Sequence, residues 1–100
     1  MSPPASSFPD TTAFLRALGK RIRLLRLTSE LTQDQLAARA GMSRSFVSLI
    51  EHGAHGVDIA RLVRLAAALD QPLSALIREV ENHTEFGDPH ARRRLPARGR

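Results

Sequence analysis

The side chains best equipped for chemistry are crowded into residues 43–52, Ser-Arg-Ser-Phe-Val-Ser-Leu-Ile-Glu-His. Arg44 carries a planar fork of donors that fits a phosphate or the O6/N7 edge of guanine. Ser43, Ser45 and Ser48 supply hydroxyls that donate and accept. Nothing nearby is arranged for bond breaking. No Asp or Glu pair has acid/base spacing in a convincing pocket, no Ser–His–Asp order sits in a nucleophile elbow, and no Gly-rich loop resembles a phosphate-binding loop. The expectation is therefore a protein that is not an enzyme and uses no cofactor. His52 and His55 make an H-x-x-H spacing around two small residues without a third ligand, so no metal is expected. The chain has no cysteine, which excludes disulfides, zinc ribbons and thiol chemistry.

Composition narrows the partner. One hundred residues suffice for one small domain, and 15 Lys and Arg against 10 Asp and Glu leave a net charge of +5. The excess lies in the middle segment as well as in the tail. It favours an anionic partner, nucleic acid ahead of an acidic membrane surface. Aromatic residues make up only 4%, all Phe, which argues against a large β core and against single-strand binding on stacked rings. No apolar run approaches the ~18–20 residues of a spanning helix. The opening MSPPASSFPD has neither a basic nor an apolar leader region, so no secretory signal and no membrane association are expected.

The elements that must position residues 43–52 follow from periodicity and caps. Residues 1–11, with three Pro and three Ser, are expected to be a disordered leader. Residues 81–100, with Gly87, Pro89, Pro96, Gly99 and the run Arg92, Arg93, Arg94, are expected to be a basic disordered tail. Residues 12–80 form the domain. Leu18, Ile22 and Leu25 mark one face of a first helix from about Thr12 to Leu27. Thr32 and Gln35 make a capping box that starts a second, and Gly41 stands where a left-handed residue would stop it. Ser43 can cap a third helix running to about His52. After Gly53 and Gly56, Asp58 caps a fourth, with the stripe Ile59, Leu62, Val63, Ala66 and Leu69. Pro72 opens a fifth that carries Leu73, Leu76, Ile77 and Val80, shared between core and dimer surface. No alternating strand is present, so the fold class is all-α, a compact five-helix bundle.

The second and third helices, TQDQLAARAGMSRSFVSLIEHG over 32–53, have the pattern of a helix-turn-helix. Ala37 is small where two steeply crossing helices must approach. Leu36, Ala40, Met42, Val47 and Ile50 can face inward from both. Ser43, Arg44, Ser45, Ser48 and Leu49 then face outward. Phe46 is outward by pattern yet apolar, suited to a neighbouring helix or to a sugar–phosphate backbone. The chain resembles the lambda-repressor/Cro-type helix-turn-helix proteins of the XRE family from about Leu18 to Ile77. L-x-x-x-I-x-x-L-R is present at Leu18, Ile22, Leu25 and Arg26, and L-T-Q-x-x-L-A at Leu31 to Ala37. G-x-S-R-S runs from Gly41 to Ser45, I-E-x-G from Ile50 to Gly53, and L-x-x-L-A-x-A-L from Leu62 to Leu69.

The resemblance implies a sequence-specific, double-stranded-DNA-binding transcriptional regulator, a repressor or autoregulator. It would act as a homodimer on a palindromic operator, with helix 43–52 in the major groove. It implies base contacts from Arg44, Ser45, Ser48 and Leu49, and phosphate contacts from Gln33, Ser43 and His52. Arg26 and Glu51 would form a structural ion pair. Leu49 departs from the polar residue common in relatives and suits a thymine methyl or cover for the core. Val57 replaces a common Pro before the fourth helix. A cytoplasmic, nucleoid-associated location is implied. The remainder after Glu79 or Val80 is expected to be too short for an effector domain. Three sub-roles stay open: a restriction-modification controller, a phage or plasmid repressor, and an antitoxin whose tail folds on a partner protein. A helical interaction module with a degenerate DNA face is the alternative outside regulation.

Overall fold

A computed structural model describes residues 11–54 and 56–82. The leader through residue 10, His55 and the tail from residue 83 lie outside the described residues. Five helices follow in order: α1 (Thr11–Thr28), α2 (Gln33–Ala40), α3 (Arg44–Glu51), α4 (Ile59–Ala68) and α5 (Leu73–Asn82). Among the described residues there is no strand.

One device ends the first four helices. At each C-terminus a residue turns left-handed, at Glu30, Gly41, Gly53 and Asp70. Its N–H and the next one return to carbonyls three and five residues back. The pairs are Glu30 to Leu27 with Leu31 to Arg26, Gly41 to Ala38 with Met42 to Ala37, Gly53 to Ile50 with Ala54 to Leu49, and Asp70 to Ala67 with Gln71 to Ala66. The last carbonyls of each helix are thereby satisfied and the chain reverses in two or three residues. Glycine takes this conformation freely. Glu30 and Asp70 hold it against a steric cost of roughly 1–2 kcal/mol.

The starts are equally local. Thr32 accepts from the Gln35 N–H while the Gln35 side chain accepts from the Thr32 N–H, the reciprocal box expected from the sequence. Ser43 Oγ accepts from Phe46 N–H, and Asp58 from Arg61 N–H. Each contact fills a donor that the first helical turn leaves open.

The core forms where the helices meet. α2 packs on α3 and α4, α1 on α3 and α5, and α4 on α5. Ile22, Leu36, Val47, Leu65 and Leu76 are its largest fully buried side chains. Leu18, Ala37, Ala40, Ile50, Leu62, Ala66, Leu69 and Val80 complete it with Leu31. Leu25, Met42, Phe46, Leu73 and Ile77 pack against it half-buried.

The stripe expected for the fourth helix needs correction. The buried set is Leu62, Leu65, Ala66 and Leu69, whereas Ile59 and Val63 are 67% and 45% exposed. Almost every side of α4 is apolar in sequence, so periodicity alone admits two overlapping faces. Packing against α2 and α5 selects the one centred on Leu65. No helix among the described residues is long and apolar enough to cross a membrane.

Candidate nucleic-acid interface

The turn between α2 and α3 is built by three small residues. Ala37 is buried where α2 meets its neighbours, and its carbonyl takes the Met42 N–H. Gly41 holds φ 69°, ψ 42°, and Ser43 in extended backbone restarts the chain as α3. Val47 and Ile50 face inward, which leaves the opposite side of α3 to solvent.

A buried polar cluster anchors α3 from behind. Arg26 donates through Nε to Glu51 Oε2 at 2.7 Å, through Nη2 to Glu51 Oε1 at 3.0 Å, and through Nη1 to the Leu31 carbonyl at 2.9 Å. Both side chains are about nine-tenths buried or more. The Glu51 hydrogen bond raises the Arg26 pKa against the opposing effect of burial, so the guanidinium stays charged. The pair expected from the sequence is thus present, and it joins the end of α1, the entry to α2 and the end of α3. Gln33 completes the cluster by donating Nε2 to Glu51 Oε1 at 3.1 Å. Its side chain therefore braces α3, while the first N–H groups of α2 have no intrahelical acceptor.

The outward side of α3 carries the expected set. Ser43, Arg44, Ser45, Leu49 and His52 are exposed and Ser48 is half-buried. Arg44 is 65% exposed along its side chain, and its Nε lies 3.8 Å from Asp34 Oδ1 at the start of α2. An exposed pair of this length contributes little to stability. Leu49, 42% exposed, offers an apolar surface on the same side. His52 Nδ1 lies 2.7 Å from the Ser48 carbonyl, which can only accept, so Nδ1 carries the hydrogen and Nε2 is left for a ligand.

Three features escaped sequence reasoning. Gly19 on α1 touches the end of α3 so closely that a Cβ there would lie 2.4 Å from the Ile50 carbonyl oxygen and 2.6 Å from that of Glu51. Gly53, left-handed at φ 68°, meets the backbone of Arg16 at 2.8 Å in the same sense. A glycine inside an amphipathic helix is the available signal for such an approach. The third is on α4. Arg61 stacks its guanidinium 5.0 Å from the Phe46 ring centroid and pairs with Asp58. The Arg61 backbone N–H, then its guanidinium, hold the Asp58 carboxyl below the usual carboxylate range. Phe46 thus finds its neighbouring helix.

A helix-turn-helix domain family model matches residues 17–79, so the chain belongs to that family, in the lambda-repressor/Cro type its motifs resemble. The immunity repressor protein of Bacillus phage phi105 is 37% identical over 62 residues, covering 62% of this chain and 43% of the repressor. The Neisseria meningitidis hypothetical transcription factor is 28% identical over 64 residues, 60% of its length. The chain thus spans about half the length of these curated relatives. Among solved structures, the restriction-modification controller protein C.AhdI from Aeromonas hydrophila is 38% identical with a TM-score of 0.63, covering 64% of this chain and 97% of the controller. The structure of the Neisseria factor superposes with a TM-score of 0.62 at 26% identity, over 77% of this chain and 84% of that one.

Proposed function

We propose that this protein is a sequence-specific regulator of transcription that binds double-stranded DNA. The observation that carries the proposal is the contrast across α3. Its inner side is fixed by a buried ion pair, and its outer side presents Arg44, Ser45, Ser48 and Leu49, with the Arg44 side chain 65% exposed. A rigid helix with an exposed polar edge is what major-groove readout requires. Arg44 forks onto a guanine edge, Leu49 meets a thymine methyl, and Ser45 and Ser48 supply adaptable hydrogen bonds. Ser43, His52 and the α2 N-terminus at Gln33 take the flanking phosphates. Two subunits place two copies of α3 one helical turn apart, ~34 Å, on a palindromic operator. The protein acts in the cytoplasm on nucleoid DNA, without a cofactor.

The names of the relatives, a phage repressor and a restriction-modification controller, support a repressor or autoregulator. The controller role has a specific observation behind it, since the match extends over 97% of the controller structure. Selection from randomised duplexes at moderate salt tests the reading. A single enriched motif with two-fold symmetry is expected. Recovery of unenriched sequence would overturn it.

A further inference from the structure

His52 ends α3 with one ring hydrogen for two demands. Its backbone N–H donates to the Ser48 carbonyl at 3.1 Å, and its ring Nδ1 lies 2.7 Å from the same oxygen. A carbonyl oxygen only accepts, so the hydrogen of a neutral imidazole is committed to Nδ1. Nε2 then carries a lone pair. A phosphate oxygen offers lone pairs as well, and two acceptors do not bond. Moving the hydrogen to Nε2 would set the Nδ1 lone pair against the Ser48 carbonyl. The imidazolium donates from both nitrogens and satisfies both partners at once.

The carboxylates on the neighbouring elements are already taken. α1 and α2 pack against α3. α1 has no acidic residue and brings only cations. Arg16 lies with its backbone against Gly53, the residue after His52. Lys20, Arg21 and Arg23 follow along the helix, and Arg26 is bound to Glu51. α2 brings Arg39 and one carboxylate, Asp34, which is paired with Arg44 at the opposite end of α3. Glu51 itself is held inward by Arg26 and Gln33. Asp58, the cap of α4, is paired with Arg61. A bound phosphate is therefore the countercharge left for a cationic ring.

We propose that duplex binding takes up one proton at Nε2 of His52, so that affinity rises on acidification while the sequence read stays the same. The inference rests on the groove reading above, in which His52 meets a flanking phosphate. Its sign follows from linkage. A cationic ring held by a phosphate gives up its proton at a higher pH than the ring of the free chain. The gain in affinity is complete below the titration of the free chain and is lost as pH rises through that of the complex. Each unit by which the phosphate displaces the titration is worth about tenfold in affinity at the acid limit.

The test is the affinity of the full chain for a selected duplex at constant ionic strength, from about pH 5.5 to about pH 8.5, a span around the ~6.5 of an ordinary imidazole. Wild type should bind about tenfold more tightly at the acid end and enrich the same motif throughout. His52→Gln cannot take the proton and should flatten the profile. His52→Arg is cationic at every pH and should hold the affinity of the acid end across the range. A variant with His55, His83 and His90 all changed to Gln should keep the wild-type slope. Nitrogen chemical shifts of the His52 ring give the direct reading. One hydrogen, on Nδ1, is expected in the free chain at the alkaline end, and two in the complex at about pH 7. A His52→Gln profile as steep as wild type, or a ring with a single hydrogen in the complex across the range, would overturn the proposal. Loss of the slope in the triple variant, or a wild-type slope that only tracks the melting temperature, would overturn it too. If the wild-type chain selects a motif and its profile is flat, the proton linkage falls and the groove reading stands. If it binds no duplex at any pH, both fall.

Discussion

Two Arg–carboxylate pairs tie α3 to the rest of the molecule, and they differ in every physical respect. Arg26 and Glu51 are buried, doubly bonded at 2.7 and 3.0 Å, and joined by Gln33 and the Leu31 carbonyl. Arg44 and Asp34 are exposed and meet through one nitrogen at 3.8 Å. The first cannot be released without leaving a charge in the core. The second can be exchanged for another acceptor at small cost, because water already screens it. The same chemistry thus serves as a fastening on one side of the helix and as an available donor on the other. Burial and bonding geometry together separate the fastening from the available donor.

Breaking the fastening should give the largest effect. Arg26→Ala leaves Glu51 buried and unpaired, and should cost about 3–5 kcal/mol of stability. Thermal unfolding measures it, and a wild-type melting temperature would show that the pair does not hold the fold. Below its melting temperature the variant should still select the wild-type motif.

Arg44→Ala should do the reverse. Its melting temperature should stay near wild type, while specific affinity falls by about 1–3 kcal/mol and preference relaxes at one base pair of each half-site. A selection assay that returns the full motif would assign Arg44 to a solvated surface.

Gln33→Ala sharpens the contrast, since Gln33 belongs to both sides. It loses a hydrogen bond to a carboxylate, worth about 1.5–3 kcal/mol before solvent exposure reduces it. It also loosens the α2 corner to which the proposed interface assigns a phosphate. Binding to every duplex should weaken by a similar factor, with a modest drop in melting temperature. A loss confined to one base pair would instead make Gln33 a reader of sequence.

What the sequence discloses divides along a physical line. Caps and stops are local: Thr32 with Gln35, Ser43, Asp58 and Gly41 act on backbone groups within three or four residues, so their types at that spacing suffice. The Arg26–Glu51 pair spans 25 residues and came from the family resemblance, since spacing carries no such information. Contacts set by packing stayed hidden. Glu30 and Asp70 turn left-handed without glycine because the helices they end are held by the core. Gly19 reports a close approach whose partner no local pattern names. Arg61 and Phe46 meet through side chains because α3 and α4 both pack on α2, and Gln33 reaches Glu51 because α2 packs on α3. The expected exposed edge of α3 was legible because its inward partners, Val47 and Ile50, recur at helical spacing.

The central claim is that residues 43–52 present their outer edge to the floor of a duplex groove. Backbone amide chemical shifts of the full chain, followed while a selected duplex is titrated in, test it most directly. The account predicts the largest changes at Gln33, Asp34 and residues 43–52, with the smallest along 73–82. Changes concentrated on α5, with residues 43–52 unmoved, would contradict it.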